Sequence, residues 1–300
     1  IETLKRFKEY CISYGVSKIL AAATSAVRES PNGRDLIKRV RENIGITIEL
    51  ISGAEEARLI YLGVLSGMSL GNKSHIICDI GGGSTELILA NSKDTRALTS
   101  SRIGAVRLKN DFFQDEPLTN SRLDFIKTFI QGSLEPSIGK IKSRLDKNES
   151  ISMIATSGTA IALGNLISSD LGEPKQKMHG YKFDKSNLEA LLSKLIKLTP
   201  FDLRKIPSLS ERRSEIIIPG GLILNTSMEM LNISELTISE RALREGLVID
   251  WMIRKGMLTS RFSLQSNIRK TTVMHQADKF SVDKVRAERV ASLALQIHDQ

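Results

Sequence analysis

A chain of 300 residues, 41% hydrophobic and 26% charged, can bury a sizeable core and has the length of two or three domains of about 100 to 200 residues each. No stretch of it is apolar and long enough to span a bilayer as a helix, and its two cysteines, Cys11 and Cys78, lie far apart in sequence and show no metal-binding spacing. The net charge of +9 attracts polyanions such as phosphate chains or nucleotides, although an ordinary basic surface would give the same number.

Cysteine usage reads as a reducing compartment, so a cytoplasmic location is expected. The chain opens at Ile1 inside one amphipathic pattern and stops at Gln300 inside another, which reads as a fragment. Leu4, Phe7, Cys11 and Tyr14 recur at helical spacing over residues 3–14, and Gly15 then stops that helix. A strand is predicted over 18–23, then a turn at Pro31-Asn32-Gly33, a helix over 34–43 and a strand over 45–51. The alternation predicts a layered α/β domain. Arg28 falls just beyond a strand end, where such sheets place ligand-binding residues, and its planar guanidinium suits phosphate oxygens. A plain surface arginine would read the same way.

Ser52, with Glu55 three positions on, forms a capping box that opens a helix, so Glu55 is expected to turn back onto the helix start. Ala57, Ile60, Tyr61 and Val64 mark the buried face. Glu56 is left without a structural task and becomes the candidate for taking a proton from water; complementing the helix dipole, worth up to about 1 kcal/mol, is the plainer alternative.

The apolar run Ile76-Ile77-Cys78 reads as a buried strand and Leu87-Ile88-Leu89-Ala90 as another, with Asp79-Ile80-Gly81-Gly82-Gly83-Ser84-Thr85-Glu86 between them. The glycines therefore sit in a strand-turn-strand unit. Dinucleotide folds and P-loops place theirs between strand and helix, and the Gly-Lys-Ser/Thr of a P-loop is missing. Backbone N–H groups of Gly81, Gly82, Gly83 and Ser84 can approach a phosphate in a turn closed to most residues, and Asp79 and Glu86 can hold a hard cation beside it. A glycine-rich hairpin with solvated acids at its ends fits the same residues.

Residues 95–102 read as a further strand, with Arg102, Arg107 and Lys109 adding positive charge near its end. A strand over 151–155 runs into Ser157-Gly158-Thr159-Ala160 and a helix, whose free N–H groups make Gly158 and Thr159 either phosphate contacts or a small-residue cap. Residues 184–198 read as an amphipathic helix ended by Thr199-Pro200, and His179 reads as a structural histidine.

Ala23-Thr24-Ser25-Ala26-Val27-Arg28-Glu29, the stretch from Ile51-Ser52-Gly53-Ala54-Glu55-Glu56 through Val64, and the Asp79 turn together resemble the ordered signatures of the exopolyphosphatase and guanosine pentaphosphate phosphohydrolase family. Weaker similarity continues through Gly104-Ala105-Val106-Arg107-Leu108, Pro219-Gly220-Gly221 and Arg241-Ala242-Leu243-Arg244-Glu245-Gly246. The resemblance implies an actin-like, ribonuclease H-like α/β fold of two domains with the site in their cleft. Its first domain is truncated at the N-terminus, since no first phosphate loop is visible in residues 1–20, and the start of an α-helical HD-like domain follows. The expected limits are residues 1–72, 73–255 and 256–300.

By the same resemblance Glu56 is the general base, Asp79 and Glu86 hold Mg2+, and Arg28, Gly81, Gly82, Gly83 and Ser84 contact substrate phosphate, joined by Gly158 and Thr159 on the helix-start reading above. The substrate is inorganic polyphosphate, with guanosine pentaphosphate (pppGpp) as the alternative, and a homodimer is expected, with no membrane or nucleic-acid partner. Arg212-Arg213 and Arg241 with Arg244 are expected to form a basic track for a long phosphate chain. His298-Asp299 is not expected to hold a metal. A kinase of the same superfold and a nucleotide-switched scaffold are the competing classes; the first needs an acceptor site that the sequence does not display.

Overall fold

The computed structural model describes residues 1–113, 118–258, 273, 277 and 280–298, without the side chains of 284, 295 and 298. It divides into two units, Ile1–Trp251 and Met252–Gln300. The second unit contains α13 (Lys284–His298), whose apolar residues Val290, Leu293 and Ile297 are exposed. The His298-Asp299 pair lies outside the described side chains.

The first unit begins with α1 (Glu2–Ser13), β1 (Ala21–Ala23), α2 (Ser25–Arg28), α3 (Gly33–Ile44) and β2 (Ile48–Leu50). Gly15 and Gly45 end α1 and α3 in the left-handed backbone that glycine adopts without strain. β1 and β2 pair in parallel, and Val40, Ile44 and Ile46 form a small core beside them with Leu4 packed against it. Both strands are shorter than their predicted spans.

The chain continues through α4 (Gly53–Gly67), β3 (Ser74–Ile80), β4 (Thr85–Ala90), β5 (Thr95–Ser101), α5 (Ala105–Phe112) and α6 (Asn120–Lys142). Then come β6 (Ile151–Thr156), α7 (Ser157–Asp170), β7 (Lys182–Asp184), α8 (Lys185–Leu195), α9 (Pro200–Arg204), α10 (Glu211–Ser214), α11 (Ile217–Met230), β8 (Glu235–Ile238) and α12 (Leu243–Arg254). The helix expected over 184–198 stops at Leu195, and Thr199 caps α9 by accepting from the Asp202 N–H at 3.2 Å.

Among the described residues, six strands form one mixed sheet in the order β5-β4-β3-β6-β8-β7, with β3, β6 and β8 parallel and the others antiparallel to their neighbours. Alternation along the strands gives the sheet two different faces. Ile76 and Cys78 of β3, Leu87 and Leu89 of β4 and Met153 and Ala155 of β6 join the main core with residues of α5, α6, α7, α8 and α11. Ile77 and Ile88 are also buried but belong to the other face, the one that carries Asp79 and Glu86.

α4 packs on β4 and β5 and is buried along residues 56–64. It crosses α12 with the backbones nearly touching: a Cβ on Gly63 would meet the Ala242 carbonyl, and one on Gly246 would meet that of Leu59. Only glycine permits this approach, and it fixes the helix that bears Glu56.

Candidate active site

Asp79 and Glu86 are register partners on β3 and β4, one step before the turn that joins the strands. Inside the turn the Gly81 N–H donates to the Ser84 carbonyl at 2.9 Å. The Gly81 carbonyl accepts from the Ala105 N–H at 2.9 Å, and the Gly82 carbonyl accepts from those of Val106 and Arg107 at 3.0 Å. The turn thus caps α5. None of its three glycines adopts the left-handed backbone, so the expectation of a conformation closed to other residues does not hold. Room is the reason instead: a Cβ on Gly83 would lie 2.6 Å from the Ser25 Oγ, and one on Gly82 3.3 Å from Val106.

Glu56 faces this pair from the first turn of α4, close enough for its charge to act on both carboxylates. Burial and then the Glu56 charge push Asp79 up to about 7. Burial, Glu56 and Asp79 push Glu86 up to about 8, against hydrogen bonds from Ser100 and Ser84. Burial also raises Glu56, with the Arg28 charge and hydrogen bonds from Arg28 and Thr24 opposing it. Three buried acids thus share one small space, with Arg28 beside them: its Nη1 lies 3.3 Å from Glu56 Oε2 and donates to the Ile51 carbonyl at 2.8 Å.

Glu55 departs from its expected part. Its N–H does bond the Ser52 Oγ at 3.2 Å, but its two carboxylate oxygens accept from Arg58 at 2.8 Å each. Arg58 is itself buried and reaches Asp250 on α12. The two adjacent glutamates therefore face different arginines.

Asp79 aligns with Thr156 in the parallel β3–β6 pair, so α7 begins beside the glycine turn, beyond the carboxyl ends of both strands. The Arg213 guanidinium packs against Gly158, leaving no space for a side chain there. Thr159 is buried, its methyl against Gly220 of α11. A separate cavity of about 400 Å³, lined by Lys109, Phe113, Ile196, Leu203, Glu215 and Ile218 among others, holds none of these groups.

Among the described residues no trio of His, Cys, Asp or Glu encloses a metal ion by itself. Mg2+ does not require one, because it keeps several waters and binds through one or two carboxylates plus substrate phosphates. Asp79 and Glu86, buried face to face with raised affinity for protons, are a donor pair that a hard cation would satisfy, and they fit that ion.

Several residues here escaped sequence reasoning. The Ser100 Oγ donates to Glu86 Oε1 at 2.7 Å, and Ser100 is the register partner of Glu86 across β4 and β5. Glu29 accepts from Ser25 at 2.8 Å, from Arg102 at 2.7 Å and from Arg107 at 2.6 Å. Burial would raise its carboxyl, but these donors outweigh that and hold it below its ordinary value. The β4–β5 register carried the signal for Ser100; Glu29 closes the Ala23-to-Glu29 signature, but its partners Arg102 and Arg107 reach it only through the fold.

The family model described as "Ppx/GppA phosphatase family" matches residues 1–255. Exopolyphosphatase 1 of Mycobacterium tuberculosis (strain ATCC 25618 / H37Rv) is 30% identical over 254 residues, covering 83% of this chain and 71% of the relative. The Mycobacterium leprae (strain TN) protein of the same name is 28% identical over 251 residues, covering 83% and 72%. Among solved structures, an exopolyphosphatase from Cytophaga hutchinsonii ATCC 33406 superposes with a TM-score of 0.77 at 25% identity, covering 85% of this chain and 80% of that one. A Ppx/GppA member from Aquifex aeolicus gives 0.70 at 24% identity with the same coverage. The match to the family model extends over both the small β1–β2 sheet and the whole mixed sheet, and the chain belongs to the Ppx/GppA phosphatase family.

Proposed function

We propose that this chain is an exopolyphosphatase that hydrolyses the terminal phosphoanhydride bond of inorganic polyphosphate. The observation that carries the reading is the meeting of Glu56, Asp79, Glu86 and Arg28 at the mouth of the glycine turn. Glu56 accepts a proton from water as the water oxygen bonds to the terminal phosphorus; the bridging P–O bond breaks and the shortened chain leaves as the anion. Burial raises the basicity of Glu56, which suits it to proton abstraction near neutral pH, while Arg28 keeps the carboxylate oriented.

Arg28 and the backbone N–H groups of Gly82, Gly83 and Ser84 hold the phosphate, with Gly158 and Thr159 contributing from the start of α7. Asp79 and Glu86 would hold Mg2+, which when bound supplies neutralisation of charge on the transferring phosphoryl group. That relatives carry the name exopolyphosphatase supports polyphosphate as the substrate here, rather than guanosine pentaphosphate, the other substrate named by the family resemblance. Domain limits at 72/73 and 255/256, a homodimer and a cytoplasmic location belong to the same proposal. Phosphate release measured with malachite green on polyphosphate, guanosine pentaphosphate and ATP tests it. The highest kcat/KM is expected for polyphosphate, and release from ATP alone would overturn the assignment.

A further inference from the structure

The peptide planes of the glycine turn are fixed from the α5 side, two of them by backbone and one by a side chain. We propose that this side chain, Arg107, anchored by Glu29, is a positioning residue: it holds the Gly83 carbonyl and so sets the Ser84 N–H as a donor to the phosphate in the turn. Arg107 acts through the backbone and does not touch substrate. This rests on the reading that the turn holds substrate phosphate.

Across a trans peptide the carbonyl of one residue and the N–H of the next point in opposite directions, and every described peptide is trans. The Gly81 carbonyl is taken by the Ala105 N–H, and the Gly82 carbonyl by those of Val106 and Arg107, so the Gly82 and Gly83 N–H groups face away from α5. The helix backbone has nothing left for the third carbonyl, because the Leu108 N–H already donates to Gly104 at 2.8 Å. The Gly83 carbonyl accepts from the Arg107 Nε at 3.2 Å instead, which sets the Ser84 N–H on the same side as the other two. None of these three N–H groups donates to another backbone group among the described residues. If the 83–84 plane turned over, it would present a carbonyl oxygen to the phosphate in place of a donor.

Arg107 is held for this at its far end. Its Nη2 donates to Glu29 Oε2 at 2.6 Å, the Ser25 Oγ donates to Glu29 Oε1 at 2.8 Å, and a Cβ on Gly83 would lie 2.6 Å from that Oγ. The contacts close a ring from Gly83 through Arg107, Glu29 and Ser25 back to Gly83. Ser25 opens α2 and Glu29 caps its end, so the ring also fixes the turn against the helix that carries Arg28. Arg102 donates to the same Glu29 oxygen at 2.7 Å, but to no carbonyl of the turn among the described residues. Serving Gly83 and Glu29 at once takes a planar fork, which a guanidinium has and an ammonium lacks.

The test measures orthophosphate binding by calorimetry with Mg2+ present, and kcat and KM on tripolyphosphate, for wild type, Arg107→Gln, Arg107→Lys and Glu29→Gln. Arg107→Gln should weaken orthophosphate binding and raise KM about tenfold, with kcat changed less than about threefold. Arg107→Lys keeps the charge without the fork and should lose as much. Both losses should persist as salt rises, since a donor in contact is not screened as a distant charge is. Wild-type affinity in Arg107→Lys, or a loss that fades with salt, would show that charge alone matters and overturn the positioning role. Glu29→Gln should cost about threefold and add nothing to Arg107→Gln; additive losses would overturn Glu29's part. The Arg107 side chain is 36% exposed, so its variants should melt within about 4 °C of wild type. Should Arg107→Gln melt lower, Arg107→Lys, which keeps the charge and the stem, decides the question. A wild-type chain that binds orthophosphate but releases none from any polyphosphate, with that binding weakened in Arg107→Lys, would overturn the exopolyphosphatase reading and leave the positioning role standing.

Discussion

Asp79 lies directly across the β3–β4 ladder from Glu86, two buried carboxylates facing each other where most sheets would place a hydrophobic pair. Their folded-state values of about 7 and about 8 stand well above the roughly 4 of an unfolded chain. Protons therefore bind the folded state more tightly, and the stability from these groups is full below about pH 4 and lost as pH rises through 7 and 8. Without divalent cation, the melting temperature should fall between pH 5 and 8.5; Mg2+ should restore it, most strongly at the upper end. A metal-free melting curve that does not move over this range would contradict the pairing.

Exchanging one of the two ligands tests the metal's place more directly. Asp79→Asn keeps the shape and removes the charge, so the Mg2+ concentration for half-maximal phosphate release should rise about tenfold or more. Titration of initial rate against Mg2+ is the measurement, and an unchanged half-point removes Asp79 from the site.

The adjacent glutamates should separate cleanly. Glu56→Gln removes the proton acceptor and one of three crowded charges, so kcat should fall about 100-fold or more with KM little changed and melting temperature held or raised. Glu55→Gln weakens its grip on Arg58 and should chiefly lower the melting temperature. Equal kinetic losses in the two variants would refute the division of labour.

Arg58 is 5% exposed at its side chain, between Glu55 and Asp250, and burial alone would depress its guanidinium; the two carboxylates reverse that. Arg58→Met should cost about 3–5 kcal/mol by withdrawing the cation from its two carboxylates, or roughly 6–20 °C for a unit of this size. Lys38→Met breaks an exposed pair with Glu42 and should cost less than about 0.5 kcal/mol. Thermal denaturation of both variants side by side checks the contrast.

What could be read from sequence was what is local. β3, β4 and β6 announced themselves as apolar runs, and the Ser52 cap placed the start of α4. α6 is less legible: Ile126, Ile130, Leu134, Ile138 and Ile141 keep a helical period and are all buried, but Gly132, Pro136 and Gly139 interrupt it with residues that disfavour helix. Of the two arginine partners of the Glu55-Glu56 pair, Arg58 lies at local helical spacing from Glu55, whereas Arg28 and the Asp250 that faces Arg58 lay beyond local reading, since both reach α4 only after the chain has folded. The glycines of the turn were recognised for the wrong physical reason: Ser25, more than fifty positions earlier, is what demands Gly83.

The capping of α5 by the Gly81 and Gly82 carbonyls also bears on entropy. A run of three glycines in an unfolded chain is the most freely moving segment a backbone can have, and fixing it costs about 1–2 kcal/mol per residue. Because those carbonyls accept the first N–H groups of α5, that ordering is completed when the sheet and helix assemble. A phosphate bound there as proposed would meet a rigid lip of backbone rather than a flap to be tamed, and the loss of freedom would fall on folding instead of on each encounter with substrate.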